Sequence, residues 1–281
     1  MTSASEGTLL LKSGAAAGAS LHFKSWPAPA PKAVALIAHG YAEHAGRYQH
    51  VAAALNRSGY AVYALDQWGH GKSDGARGFV PAFSVFLDGL DALLAKSKAD
   101  YPDAKRFLIG HSMGGLVAAN YLVERQREFA GAVLSGPSIK PVEEPSAALV
   151  FIGRILSRLA PKAGLIGLDA NLVSRDAKVV ADYVADPLVY KGKISARLGA
   201  EMIDAMNKAQ EKASSLGLPL LLMHGAADGL TAPEGSKILH ERAASRDKTL
   251  KIYDGFYHEI FNDPGKEGVI ADMIAWLDAH A

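Results

Sequence analysis

The stretch Phe107-Leu108-Ile109-Gly110-His111-Ser112-Met113-Gly114-Gly115 constrains this chain more than any other. Its apolar run ends at Gly110 and resumes as Leu116-Val117-Ala118-Ala119, a small-residue helical pattern, so a strand must turn into a helix within about two residues. Gly110 and Gly114 let that helix run close to the neighbouring backbone, and the tight bend carries the Ser112 hydroxyl outward. The pattern is a nucleophile elbow, G-x-S-x-G, and it makes Ser112 a candidate for attack on an acyl carbon. Glycine and serine also mark ordinary turns; here the flanking periodicities are those the elbow requires.

Around the elbow, strands and helices alternate. Short strands are predicted at 8–12 and 19–25, flanking a Gly/Ala turn, with a Pro/Ala linker from Pro27 to Pro31 separating this hairpin from a main sheet. Ala33-Val34-Ala35-Leu36-Ile37-Ala38 is continuously apolar, as a strand covered on both faces should be. A helix from about Tyr48 to Arg57, a strand from Tyr60 to Leu65, a helix from Phe83 to about Lys98 and a strand from Ala130 to Leu134 follow. That alternation implies parallel strands joined by right-handed crossovers, with ligand chemistry at their carboxyl ends.

From Ser138 to about Gly217 the character changes. Two helix candidates, 147–159 and 196–212, flank a loop at 161–173 with no buried strand, which reads as a lid inserted over the carboxyl end of the sheet. The sheet resumes at Leu218–Gly225 and Leu250–Tyr253, with helices at about 234–244 and 269–279. Three segments result: residues 1–137 as the first part of the core, 138–217 as a helical cap, and 218–281 as the second part of the core.

A serine hydroxyl is a weak nucleophile until an imidazole takes its proton, and the imidazole needs a carboxylate to hold its tautomer. Of ten histidines, His258 lies a few residues beyond the last strand, and Asp228 lies just beyond the strand before it. Both loops should open on the edge that carries Ser112, and the chain order Ser112, Asp228, His258 is the one this architecture uses. The oxyanion formed on attack needs fixed backbone donors. The N–H of Met113 follows from the elbow, and the N–H of Tyr41, in the loop His39-Gly40-Tyr41, is the second choice. His39 and His111 read as supporting hydrogen-bonding groups. Glu43, His44 and Arg47 read as a mutually paired trio clamping the oxyanion loop, while Glu259 is expected to point elsewhere.

Composition excludes several other functions. With 30 basic and 29 acidic residues the formal net charge is +1, so nothing recruits a polyanion and nucleic acid is not expected as a partner. No cysteine is present, which removes thiol chemistry, disulfides and thiolate metal sites. The loop Asp66-Gln67-Trp68-Gly69-His70-Gly71-Lys72-Ser73 lacks the spacing of a phosphate-binding loop, no H-E-x-x-H occurs, and neither cofactor nor metal is expected. Met1 to Gly7 shows no signal-peptide pattern, and no apolar run reaches about 18 residues, so a soluble, cytoplasmic protein is expected.

Taken together, His39-Gly40-x-x-Glu43-His44-x-Gly46-Arg47-Tyr48, Asp66-x-x-Gly69-His70-Gly71-x-Ser73, Gly110-His111-Ser112-Met113-Gly114-Gly115 and Lys248-Thr249-Leu250-Lys251-Ile252-Tyr253-x-Gly255-x-Tyr257-His258 resemble the monoacylglycerol lipase family of α/β-hydrolases. The resemblance continues inside the insertion, at Leu172-Val173-Ser174-Arg175-Asp176 and Asp186-Pro187-Leu188-Val189-Tyr190. It implies an α/β-hydrolase fold, a mostly parallel central sheet flanked by helices with a helical cap after the sixth strand. It also implies a serine hydrolase that releases fatty acid from monoacylglycerol and meets membranes or micelles through its cap. Matched by motif, the family's nucleophile, acid, base and oxyanion donors fall on Ser112, Asp228, His258, Tyr41 and Met113. Ile139, Leu149, Ile152, Leu156 and Leu172 are candidate acyl-channel residues; Glu143 or Glu144 could reach glycerol hydroxyls, or simply be a solvated pair. Tyr41-Ala42 departs from the small residue and glycine that relatives often carry after His-Gly, which places an aromatic ring near the acyl entrance or the glycerol end. The competing readings are a broad carboxylesterase or lysophospholipase with the same triad, a peptidase, for which no acidic cluster is committed to a substrate amine, and a non-catalytic binder, which would lack a triad member.

Overall fold

The computed structural model describes residues 4–281. In chain order its strands and helices are β1 (Ser5–Leu10), β2 (Ser20–Trp26), β3 (Ala33–Ala38), α1 (Gln49–Arg57), β4 (Tyr60–Leu65), α2 (Ser84–Asp100), β5 (Arg106–His111), α3 (Met113–Arg125), β6 (Gly131–Ser135), α4 (Ala147–Leu159), β7 (Gly164–Gly167), α5 (Ala177–Ala185), β8 (Lys193–Ser195), α6 (Ala196–Lys212), β9 (Leu220–Gly225), α7 (Pro233–Arg242), β10 (Lys248–Tyr253) and α8 (Lys266–His280).

β3, β4, β5, β6 and β9 are buried at every position, which is why their sequences are apolar runs instead of alternations. They lie in the middle of an eight-stranded sheet of order β1-β2-β4-β3-β5-β6-β9-β10. The pairings from β4 to β10 are parallel, and only β1–β2 and β2–β4 run antiparallel. One face of the sheet packs Leu90, Leu93, Leu116, Leu122 and Leu239 from α2, α3 and α7. The other packs Val51, Leu55, Ile270 and Leu277 from α1 and α8. Every parallel strand therefore ends on one rim, and the loops that leave β3, β5, β9 and β10 there are neighbours.

This is an α/β-hydrolase fold, with a helical cap inserted after β6. Two expectations need correction. The amino-terminal hairpin begins at Ser5, not at residue 8, and the 27–31 stretch does not set it apart. β2 continues the sheet directly, pairing from Phe23↔Leu65 to Trp26↔Val62. The cap also holds more than two helices and loose connections. α5 is started by Asp176, whose Oδ1 accepts the Lys178 N–H at 2.8 Å, and β7 pairs with β8 as a small exposed ribbon. α6 seats the cap on α3, where Asn120 Nδ2 donates to the Ala205 carbonyl at 3.1 Å.

Candidate active site

At the elbow the glycines are required by contact. A Cβ on Gly110 would lie 2.6 Å from the Gly114 carbonyl and 2.8 Å from Gly115 Cα, and one on Gly114 would run into the Ala38 carbonyl. Ser112 sits between them at φ 53°, ψ −121°, a conformation that costs a side-chain-bearing residue about 1–3 kcal/mol. The surroundings hold it there. Its N–H donates to the Ser135 carbonyl at 2.9 Å, and its own carbonyl accepts from Leu116 at 3.1 Å and Ser138 at 3.0 Å. The first amides of α3 have no acceptor one turn back, so the Met113 N–H stands at the bend beside the serine.

His258 and Asp228 come to the same rim on the loops after β10 and β9. His258 Nδ1–H donates to Asp228 Oδ2 at 2.7 Å, and both residues are buried. Asp228 Oδ1 accepts the N–H groups of Leu230 at 2.8 Å and Thr231 at 2.9 Å, which fixes the carboxylate plane. The His258 ring stands 4.8 Å from the ring of His111, the residue preceding the elbow serine. A Cβ on Gly136, one residue past the end of β6, would touch both Asp228 Oδ2 and His258 Nδ1 at 3.4 Å. The three chain-distant loops thus meet where the elbow turns.

Burial alone would lower the His258 pKa; the Asp228 carboxylate outweighs it and raises the imidazole above its ordinary value. Burial would raise Asp228, yet the two histidines His258 and His224 hold it well below the usual carboxylate range. His39 and His111 are pushed down to about 4 by burial, which leaves them neutral near pH 7. At this rim the His258 ring is thus raised while His39 and His111 are held neutral.

The loop after β3 passes directly against Ser112: a Cβ on Gly40 would lie 3.1 Å from Ser112 Cβ. The Gly40 N–H is committed to Glu43 Oε1 at 2.6 Å, and Tyr41 is the next residue of the loop. His39 braces the turn, donating from Nδ1 to the Gly40 carbonyl at 2.7 Å and accepting the Gln67 N–H on Nε2 at 2.9 Å.

The expected trio is rearranged. Glu43 accepts from Arg47 at 2.9 Å and from Tyr48 at 2.7 Å, but His44 turns to the cap and bonds Asp186 at 2.9 Å. Its place is taken by Glu259, which receives Arg47 in a two-pronged pair at 2.5 and 2.7 Å. Arg47 also stacks on Tyr183 of α5, 4.7 Å from the ring centre. Sequence reading set Glu259 aside, and no local signal marks a partner 212 positions away.

The Tyr41 ring is buried between His70 and Tyr190, with ring centres 5.7 and 6.2 Å away. The five candidate channel residues are not gathered into one wall. Ile139 is wholly buried beside Gly235. Leu172 is half-buried over Gly229, next to Asp228, and Leu156 is half-buried on α4. Leu149 and Ile152 are 53% and 52% exposed on the same helix. Glu144 is a solvated partner of Lys140 at 2.8 Å. His224, buried against Asp228, was not singled out at all; a lone histidine inside an apolar strand gives no sign of its partner.

A family model described as serine aminopeptidase, S33, matches residues 29–265. Over almost the whole chain the resemblance is to lipases. The monoacylglycerol lipase of Mycolicibacterium smegmatis is 40% identical over 264 residues, covering 94% of this chain and 94% of its own. Human monoglyceride lipase is 35% identical over 250 residues, covering 88% of this chain and 82% of its own. The crystal structure of Paleococcus ferrophilus monoacylglycerol lipase superposes with a TM-score of 0.85 at 36% identity, over 93% of this chain and 99% of that one. Identity of this order along both whole chains is more than a shared architecture produces, and the chain belongs to the monoacylglycerol lipase family of α/β-hydrolases, an enzyme of the serine-hydrolase type that cleaves carboxylic esters.

Proposed function

We propose that this enzyme hydrolyses monoacylglycerols to fatty acid and glycerol, with Ser112 as nucleophile, His258 as general base and then acid, Asp228 as its orienting partner, and the Tyr41 and Met113 N–H groups as the oxyanion hole. The observation that carries the reading is the buried 2.7 Å bond from His258 Nδ1 to Asp228 Oδ2 at the rim where the strained Ser112 turns. With Nδ1 committed to the carboxylate, Nε2 is the nitrogen left to take the serine proton. Ser112 Oγ attacks the ester carbonyl as Nε2 accepts its proton, and the carbonyl oxygen becomes an oxyanion facing the two amides. Collapse expels the glycerol oxygen, which takes the proton from Nε2 and leaves an acyl-serine. Water repeats the sequence: Nε2 removes its proton, the second oxyanion collapses, and Ser112 recovers its hydrogen as the fatty acid departs.

A neutral glycerol ester suits a chain of formal net charge +1 better than a phosphate-bearing one, because no surplus of basic residues awaits a headgroup. The cap, taken as 138–217, supports lipid contact. α4 exposes Leu149, Phe151, Ile152, Ile155 and Leu159, an apolar face larger than scattered surface residues produce. Among the described residues no helix is long and apolar enough to cross a membrane, so docking would be peripheral.

A hydrolysis profile tests the substrate class: monoacylglycerols of increasing chain length, with di- and triacylglycerols and p-nitrophenyl esters alongside. Preference for monoacylglycerols is expected, and p-nitrophenyl acetate outpacing every glyceride would replace the reading with a broad carboxylesterase. Fluorophosphonate labelling that persists in Ser112→Ala would remove the nucleophile assignment.

A further inference from the structure

His224, near the end of β9, reaches the carboxylate that His258 reaches, and it is wholly buried. Its Nε2 lies 3.1 Å from Asp228 Oδ2 and 3.1 Å from the Thr231 carbonyl. Both are acceptors, so Nε2 carries a hydrogen whatever the charge on the ring. On the far side, Nδ1 is 2.8 Å from the hydroxyl of Ser236, a wholly buried residue of α7 that fixes how the ring is turned.

A carboxylate has about four lone-pair sites, and four donors can fill those of Asp228. Leu230 and Thr231 N–H occupy Oδ1, His258 at 2.7 Å and the Thr231 hydroxyl at 2.9 Å donate to Oδ2, and the His224 Nε2, bonded to the Thr231 carbonyl, lies beside that oxygen at 3.1 Å. The Thr231 hydroxyl also lies 3.0 Å from the Gly136 carbonyl. Two histidines thus compete for the charge on a single oxygen.

We propose that His224 is a positioning residue of the triad: its Nε2–H, held by the Thr231 carbonyl 3.1 Å from Oδ2, steadies the Asp228 carboxylate electrostatically and draws off part of the charge that Asp228 exerts on His258. The inference rests on Asp228 being the orienting acid. An N–H dipole close to a carboxylate favours its charge, and charge held by one neighbour is less available to another. The other groups facing His258 are His111 on β5, Glu259 on its own loop and Glu43 on the oxyanion loop. Those around His224 are Asp228, Thr231 and Ser236, with Glu234 on α7 within electrostatic reach. A substitution at 224 leaves all of these in the chain, so a moved titration reports the lost donor.

The test is kcat/KM against pH on a water-soluble p-nitrophenyl ester for His224→Leu and His224→Gln, each expressed per fluorophosphonate-titrated active site. His224→Leu removes the donor; glutamine can set an amide N–H where Nε2 stood. His224→Leu should lower kcat/KM about tenfold, the scale of one hydrogen bond to a charge, and move the acid limb to higher pH. His224→Gln should restore both. An acid limb of His224→Leu that superimposes on the parent, or a glutamine variant shifted as far as the leucine one, would overturn the proposal. Should His224→Leu fail to fold, Ser236→Ala carries the same test through the freed ring: an upward shift supports the proposal and an unmoved limb overturns it. Asp228→Asn run beside them keeps the two readings apart. If it retains full activity the triad assignment falls; if it is inactive while the 224 and 236 variants titrate like the parent, only this inference falls.

Discussion

α3 and α4 are each thirteen residues long and largely apolar, yet ten residues of α3 are buried and only Ser157 of α4 is. α3 is enclosed by the sheet, α2 and α6, so its small and aliphatic side chains are spent on packing. α4 packs on α6, yet beyond the buried Ser157 only Val150, Gly153 and Leu156 are half-buried, and Leu159 is left 80% exposed. Similar composition has opposite consequences. One helix exists to hold Ser112 and the amide beside it; the other offers a surface that water alone does not explain. The elbow is fixed where the structure cannot give, and an apolar face is left bare where little else is touched.

Replacing the proposed base, His258, should widen this contrast most. His258→Ala should lower kcat by about 10⁴-fold or more while the thermal melting temperature stays close to that of the parent; near-parent esterase activity would break the assignment. Leu116→Ala, inside α3, should destabilise the protein by about 2–5 kcal/mol, measured by urea unfolding, because Leu116 is wholly buried. A cost under about 1 kcal/mol would mean that α3 is not the rigid mount described.

Acid unfolding gives the next effect. Burial holds His39 and His111 at about 4 and His70 at about 3, against about 6.5 for an unfolded chain. Between those values the unfolded chain binds more protons. The stability these rings contribute is therefore present above about pH 6.5 and lost as pH falls toward 4. The Asp66 bond raises His22, and Asp228 raises His258 against burial; the stability these two contribute is fully present below about pH 6.5 and is lost only as pH rises above it, so it does not change across that window. Urea midpoints measured from pH 7 to 4 should fall, and a flat profile would show that the core histidines are not buried neutral. The smallest stability effect belongs to α4. Leu159→Ala should change stability by no more than about 0.5 kcal/mol yet weaken binding to phospholipid vesicles; unchanged vesicle binding in a Leu159→Ala/Ile152→Ala pair would sever the cap face from lipid docking.

Much of the core was legible because its strands obey a local rule. β3 and β4 fall on the boundaries read from their apolar runs, and α4 and α6 on those read from helical periodicity. Boundaries failed where backbone pairing decided instead of hydrophobicity. β1 follows its register with β2, Ser5↔Ser25 to Leu10↔Ser20, and ignores the apolar Leu11. α5 was missed because Ala177–Ala185 is short and rich in β-branched valine, a poor helix former without its Asp176 cap and tertiary seat. At the site, the elbow and the two loop residues could be read from spacing against strand ends. Glu259 with Arg47, His44 with Asp186 and His224 with Asp228 could not, because each depends on where a ring or a fork points after the sheet has formed.

The cap does not grow from the core on neutral stalks. Tyr190 N–H donates to the Ala42 carbonyl beside the oxyanion loop at 2.8 Å, Glu259 N–H to the Val173 carbonyl at 2.8 Å, and Asp186 holds His44. A chimera that exchanges the outer helix for that of a relative should keep its catalytic alignment. One that grafts residues 172–190 as well would import a foreign foundation for the machinery beneath. Diversification of substrate range in such a scaffold is therefore cheapest at the crown and most constrained at the collar.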